Sequence, residues 1–202
     1  MLLHSINAAA SGYEMRPLFE HYRSQRPVYA LDLPGYGFSD RSDRVYTPQF
    51  FQSVIQEFLA SEVGEPADVI ALSLTGEFAA IAAQANPNLF HSLVLLSPTG
   101  LSQEKEKRAS QKAGRSGSSK ALYPLFAFPL WSQAFYDLIA TRTSIKYFLQ
   151  QSFLGPVPDT LVEYAYHTAH QPGAKNVPLH FISGKLFTPN ILTQVYQHVR
   201  VP

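Results

Sequence analysis

The hydrophobic positions of the chain fall into short continuous runs separated by longer mixed stretches. Within the runs, apolar residues follow one another without alternating with polar ones, which is typical of strands covered on both faces of a parallel sheet. Each run is therefore predicted to be a strand. The four runs are residues 2–4, 28–33, 69–72 and 93–96.

The stretches between these runs carry apolar residues at helical spacing. Thr47 and Pro48 provide an N-cap and a first-turn proline for one of them, and Pro87 marks the end of another. Strands and helices therefore alternate, which predicts an α/β fold with a doubly wound, mostly parallel sheet. The predicted helices are residues 13–23, 48–63 and 76–86.

The alternation ends after Leu96. Residues 114–119 are rich in glycine and serine and follow a charged stretch, so they are predicted to form a linker. From residue 122 to residue 153 the chain is rich in aromatic and leucine side chains at helical spacing. This part is predicted to be a small helical subdomain.

Composition narrows the classes of function. The chain has 202 residues, of which 46% are hydrophobic and 15% charged, so it can bury one sizeable core. A formal net charge of +1 gives no broad positive field, and no nucleic-acid partner is expected. The absence of cysteine excludes disulfides and thiolate metal sites and fits a reducing compartment, so we expect a cytoplasmic protein.

Neither a membrane span nor a secretory leader is expected. Residues 121–131 form the longest apolar stretch, but they are shorter than the ~20 residues that a spanning helix needs. Pro124 and Pro129 also interrupt this stretch. The first five residues have no basic region and no cleavage-site pattern.

One serine lies between an apolar run and a helical stretch, which is the setting of a nucleophile turn. Residues 69–76 read Val-Ile-Ala-Leu-Ser-Leu-Thr-Gly, and Ser73 is the candidate nucleophile. Ala71 and Thr75 stand where the G-x-S-x-G pattern has glycines, and a β-branched Thr75 is expected to crowd the turn, a crowding that Gly76 would relieve in part. The alternative is a simple N-cap, because serine is among the residues favoured there.

Two further segments make a resemblance specific. Residues 32–40, Asp-Leu-Pro-Gly-Tyr-Gly-Phe-Ser-Asp, are similar without gaps to the D-x-P-G-x-G-x-S turn of the α/β-hydrolase family. Residues 2–6, Leu-Leu-His-Ser-Ile, resemble the strand and His-Gly loop of the same family, with Ser5 in place of the glycine. The order and spacing of these segments and the Ser73 turn resemble the family, of the AB hydrolase-1 type, from its third strand through its sixth.

The resemblance implies roles for several residues. The backbone N–H groups of Ile6 and Leu74 would form an oxyanion hole for a tetrahedral intermediate. His4 and Asp32 would hold backbone in place and take no part in catalysis. The family's acid and histidine follow its seventh and eighth strands, so the chain resembles a part of the family that stops just before strand seven.

This comparison implies three parts of the chain. Residues 1–100 would be a partial hydrolase core, residues 101–190 a helical lid, and residues 191–202 the lead-in to a further strand. No cofactor is implied. His167 and His170 lie three residues apart, but with no third ligand nearby they do not predict a metal site.

The aromatic residues of the lid are candidates for a substrate pocket, although they can equally form the core of a helical subdomain. The candidates for this pocket are Phe126, Trp131 and Phe135.

The leading hypothesis is a serine hydrolase that cleaves a small ester or amide through an acyl-enzyme on Ser73, with this stretch inactive alone. The alternative is a non-catalytic relative that keeps the fold for binding, because Ser5, Ala71 and Thr75 replace glycines. A dehalogenase is disfavoured, since it needs a carboxylate at position 73. The sequence does not indicate an oligomeric state.

Overall fold

A parallel sheet forms the centre of the protein. The computed structural model describes residues 1–101, 128 and 130–202. In this part of the chain the strands run parallel in the order β2-β1-β3-β4. The strands are β1 (Leu2–Leu3), β2 (Ala30–Leu31), β3 (Ala67–Leu72) and β4 (Phe90–Leu96).

Each predicted strand is confirmed, but the lengths differ from the prediction. β2 keeps only two of the six residues expected to be extended. β3 begins two residues earlier than predicted, at Ala67, and its pairing with β4 shifts register between Ala67 and Asp68. The polar side chain of Asp68 is accommodated near the start of this apolar strand because its carboxylate accepts a hydrogen bond from Ser92 on β4 at 2.5 Å.

Three helices follow the first three strands. The predicted boundaries hold to within a few residues, and Thr47 caps its helix by accepting a hydrogen bond from the Phe50 N–H at 3.1 Å. The second predicted helix changes to a π-helical turn over Leu59–Val63, which Gly64 ends in a left-handed conformation. The helices are α1 (Arg16–Tyr22, after a 3-10 turn Gly12–Met15), α2 (Pro48–Phe58) and α3 (Thr75–Ala85).

The later part of the chain is helical where it is described. We call residues 132–182 the helical segment. The predicted linker, residues 114–119, lies outside the described residues, and the division into core and lid remains a prediction. The later helices are α4 (Ser132–Ile139), α5 (Arg142–Gln150), α6 (Asp159–Ala169), α7 (Asn176–Ile182) and α8 (Ile191–Gln194), followed by a 3-10 turn Tyr196–His198.

The main core lies where helices pack against the sheet. Leu3 and Val69 from neighbouring strands are completely buried there. Phe51 of α2 stacks on Phe78 of α3 with ring centroids 5.0 Å apart, which joins the two helices over the sheet. The structure is therefore a parallel sheet with flanking helices, as the alternating pattern predicts.

The last residues of the chain run beside β4. The Leu93 N–H donates a hydrogen bond to the Pro202 carbonyl at 2.8 Å, and Val199 and Val201 pack against the main core. That residues 191–202 lead into a further strand stays a prediction.

Candidate active site

Ser73 lies at a strained turn between β3 and α3. Its φ is +59°, a left-handed conformation that only two other described non-glycine residues, Ser97 and Asn190, share. The Ser73 N–H bonds to the Leu96 carbonyl on β4 at 2.8 Å, and the Ser73 carbonyl accepts from the Gly76 N–H at 3.0 Å. A left-handed residue with a side chain costs about 1–2 kcal/mol. Such strain is found at functional sites, so the conformation directs attention to the half-buried Ser73 side chain.

Thr75, which was expected to crowd this turn, stabilises it. Thr75 is completely buried, and its hydroxyl donates a hydrogen bond to the His4 carbonyl at 2.6 Å. A glycine would leave that carbonyl without this donor. Gly76 allows the close approach of β4, because a Cβ there would lie 3.3 Å from Leu95 Cδ2. The turn is thus tied to the end of β1 and packed tightly on β4.

The two proposed oxyanion donors lie at the same edge of the sheet as Ser73. β1 and β3 are neighbours, with Leu3 opposite Ala71, so the loop after β1 and the turn after β3 leave the sheet side by side. The side chains of Ile6 and Leu74 are buried. Within the described residues, neither backbone N–H donates a hydrogen bond to a protein acceptor.

His4 holds backbone in place, as the resemblance implies. It is completely buried, its Nε2 accepts from the Leu33 N–H at 3.0 Å, and its Nδ1 lies 2.6 Å from the Ser5 carbonyl. These partners require a neutral ring with the proton on Nδ1. Burial lowers the pKa of His4, which favours the same neutral form. Since both ring nitrogens are engaged, His4 does not act as the base for Ser73.

Asp32 also has an architectural role. Its two carboxylate oxygens accept hydrogen bonds from the Gly12 N–H at 2.7 Å and the Phe38 N–H at 3.0 Å. Gly37 turns back over this carboxylate with φ +52°, and a Cβ there would lie 1.9 Å from Asp32 Cγ. The glycine is required because the carboxylate occupies the space of any side chain.

Glu14 holds the loop after β1 in place, a role that the sequence did not predict. It lies in the 3-10 turn before α1, and its carboxylate accepts hydrogen bonds from the Ser5 N–H and from Asn7 Nδ2, each at 3.0 Å. No sequence pattern predicts a contact between Ser5 and a glutamate nine residues later. It results from the chain folding back on itself.

The candidate pocket residues are not brought together with Ser73 by any described contact. Phe126 lies outside the described residues. Trp131 is exposed and packs against Phe128, with ring centroids 4.5 Å apart, and Phe135 is half-buried on α4. The pocket assignment therefore remains a prediction.

Two cavities of the described structure lie away from Ser73. A groove of about 240 Å³ lies between the end of β2 and α2, lined by residues that include Asp32, Glu57 and Phe58. A cavity of about 10 Å³ lies between the Ala8–Ala10 loop and the helical segment. Neither is lined by Ser73 or by the predicted pocket aromatics.

The described residues offer no group of three potential metal ligands. His167 and His170 are exposed near the end of α6, where His170 Nδ1 lies 2.7 Å from the Tyr166 carbonyl. In the same part of the chain, no helix has the length and apolar character needed to cross a membrane.

Solved structures share this fold at low sequence identity. A serine hydrolase involved in carbazole degradation, the CarC enzyme, matches 100% of this chain with a TM-score of 0.70 and 17% identity. A probable hydrolytic enzyme from Pseudomonas aeruginosa also matches 100% of the chain, with a TM-score of 0.69 and 19% identity. The haloalkane dehalogenase DatA from Agrobacterium tumefaciens matches 88%, with a TM-score of 0.56 and 18% identity.

These similarities concern the fold alone. The chain covers 67%, 61% and 57% of the lengths of the three proteins, respectively. A comparison with curated proteins gives no match. The model of the α/β hydrolase family matches residues 1–199, nearly the whole chain. The protein therefore belongs to the α/β hydrolase family.

Proposed function

We propose that Ser73 is the nucleophile of a serine hydrolase acting on a small ester or amide. The observation that carries this proposal is the left-handed conformation of Ser73 at the turn between β3 and α3. At such a turn the hydroxyl gives its proton to a base and attacks the substrate carbonyl, and the ester or amide bond breaks to release an alcohol or amine and leave an acyl-enzyme. Water then hydrolyses the acyl-enzyme, which releases the carboxylic acid and restores the serine.

The negative charge of the tetrahedral intermediate falls on the former carbonyl oxygen. In this proposal the N–H groups of Ile6 and Leu74 bind that oxygen, and the assignment is supported because neither N–H has an acceptor in the part of the chain that the structure describes. A single donor of this kind contributes about 10²–10³-fold to turnover.

The base and the acid of the reaction come from outside residues 1–202 in this proposal. A serine hydroxyl is a weak nucleophile near neutral pH without a base. Within the described residues, no histidine hydrogen-bonds to the Ser73 hydroxyl, and both ring nitrogens of His4 are engaged elsewhere. The 202-residue chain alone is therefore expected to be inactive.

The proposed substrate is a small molecule with an apolar part. Phe126, Trp131 and Phe135 are the proposed contacts for that part, because aromatic side chains commonly line ligand pockets. A carboxylate nucleophile, as a dehalogenase would need, is absent at position 73.

The lack of a histidine partner for Ser73 among the described residues also favours a second candidate, a non-catalytic protein that binds a small molecule at the same edge of the sheet. The two candidates differ in one property, since only the hydrolase turns over a substrate.

The test uses the full-length protein, expressed from its complete reading frame, and a panel of p-nitrophenyl esters of increasing acyl length. The hydrolase proposal expects turnover that is abolished by Ser73→Ala. Ser97→Ala is the matched control, because Ser97 is also left-handed, follows the adjacent strand and is exposed. Turnover that Ser73→Ala leaves unchanged would overturn the assignment, and no turnover of any ester would favour the binding protein.

A further inference from the structure

The loop after β1 is held from one side by a carboxylate. Glu14 accepts hydrogen bonds from the Ser5 N–H and from Asn7 Nδ2. Asn7 in turn donates to Ser5 Oγ at 2.8 Å and accepts from the Ala9 N–H at 2.8 Å. Hydrogen bonds to an ionised acceptor are about twice as strong as neutral ones. The carboxylate therefore organises the backbone on both sides of Ile6.

The same loop is held from the other side by the helical segment. Tyr136 of α4 is 1% exposed, and its hydroxyl donates a hydrogen bond to the Ala8 carbonyl at 2.9 Å. Burial raises the pKa of Tyr136, so the hydroxyl keeps its proton at neutral pH and remains a donor. The contact joins residues 128 positions apart in the chain.

These two contacts enclose the proposed oxyanion donor. Ile6 lies between Ser5, which bonds to Glu14, and Ala8, which bonds to Tyr136. The residues from Ser5 to Ala9 belong to no helix or strand, so side chains set their backbone direction. The Ser5 N–H is already used by Glu14, whereas the Ile6 N–H has no acceptor among the described residues.

We propose that Glu14 and Tyr136 are positioning residues of the oxyanion hole, which clamp the loop between them so that the Ile6 N–H points at the developing charge. This inference rests on the proposed function of Ser73. Glu14 acts from the core and Tyr136 from the helical segment, so packing of that segment against the core helps to complete the site.

A positioning role and an electrostatic role of Glu14 predict opposite changes of kcat when Glu14 is replaced by Gln. The negative charge of Glu14 would oppose a developing oxyanion, so a purely electrostatic role predicts that Glu14→Gln raises kcat. In the clamp, Glu14→Gln instead lowers kcat, because one half of the new amide donates towards a group that is itself a donor. A misplacement of about 1 Å in a catalytic group can cost on the order of 100-fold in rate.

The test measures hydrolysis and amide hydrogen exchange in the full-length protein. Glu14→Gln and Tyr136→Phe should each lower kcat by about 10–100-fold, with KM changed much less. The amides of residues 5–9 should exchange faster in both variants. The controls are Glu20→Gln, an exposed glutamate on α1, and Tyr147→Phe, an exposed tyrosine on α5, and both should leave kcat and exchange unchanged.

The outcomes separate this inference from the function on which it rests. Unchanged exchange in residues 5–9 in both variants overturns the clamp, as does an increased kcat in Glu14→Gln. If one variant fails to fold, the other decides the question. If Ser73→Ala retains turnover while exchange still rises, the loop clamp stands as a structural device and its proposed connection to an oxyanion hole at Ser73 is overturned.

Discussion

Replacing Gly37 by alanine should be among the most damaging small changes in the core. The new Cβ would lie 1.9 Å from Asp32 Cγ, so the carboxylate has to move. The left-handed backbone at φ +52° costs an alanine about 1–2 kcal/mol. Displacing the carboxylate breaks at least one of its bonds to the Gly12 and Phe38 N–H groups, worth about 1.5–3 kcal/mol. We therefore expect a loss of about 2.5–5 kcal/mol in the free energy of unfolding.

The assay is guanidinium-induced unfolding of the full-length protein, followed by circular dichroism. Gly64→Ala is the matched control, because Gly64 has φ +73° and its Cβ would meet nothing within 4 Å. The control should lose only the conformational cost of about 1–2 kcal/mol. Equal losses in the two variants would refute the reasoning, since they would show that the Asp32 carboxylate does not occupy the space over Gly37 in solution.

Two other substitutions test the contacts around the Ser73 turn. Thr75→Val preserves the shape but removes the donor to the His4 carbonyl, so it should cost about 1–3 kcal/mol in denaturant unfolding, whereas Thr193→Val on an exposed surface should cost little. A neutral Thr75→Val would contradict the 2.6 Å hydrogen bond. Because burial lowers the pKa of His4 below its ordinary 6.5, the unfolded chain takes up a proton first as the pH falls. The free energy of unfolding should therefore decrease below about pH 6.5, by up to about 1.4 kcal/mol per pH unit for this group, and His4→Asn should flatten that dependence. An unchanged slope in His4→Asn would show that His4 is not buried in its neutral form.

The sequence predicts the parts of the fold that depend on local pattern. The D-x-P-G-x-G-x-S turn is one example, because Asp32 bonds to the Phe38 N–H only six residues away within the motif itself. The strand and helix positions follow from apolar runs and helical spacing in the same way. The extent of β2 was not predictable from its run of six residues, since only Ala30 and Leu31 pair with β1 in register, although the Tyr29 carbonyl also accepts a hydrogen bond from the Leu2 N–H.

The candidate site is predictable only in part, because some of its contacts are local in sequence and others join distant residues. The position of Ser73 between a strand and a helix is a local feature that the sequence predicts, whereas its role as the nucleophile stays a prediction. Thr75, by contrast, departs from the motif, and its hydroxyl donates a hydrogen bond to the carbonyl of His4, 71 positions away. Tyr136 reaches Ala8 across an even longer separation. Such contacts depend on how the elements pack, and no single-sequence pattern encodes them.

The most direct test of the central claim is to find which residue reacts with a probe that phosphonylates nucleophilic serines. The full-length protein is treated with a fluorophosphonate, digested and analysed by mass spectrometry. We predict a single adduct on the peptide that contains Ser73, with none in Ser73→Ala and an unchanged adduct in Ser97→Ala. An adduct on another residue, or an adduct that persists in Ser73→Ala, would contradict the account.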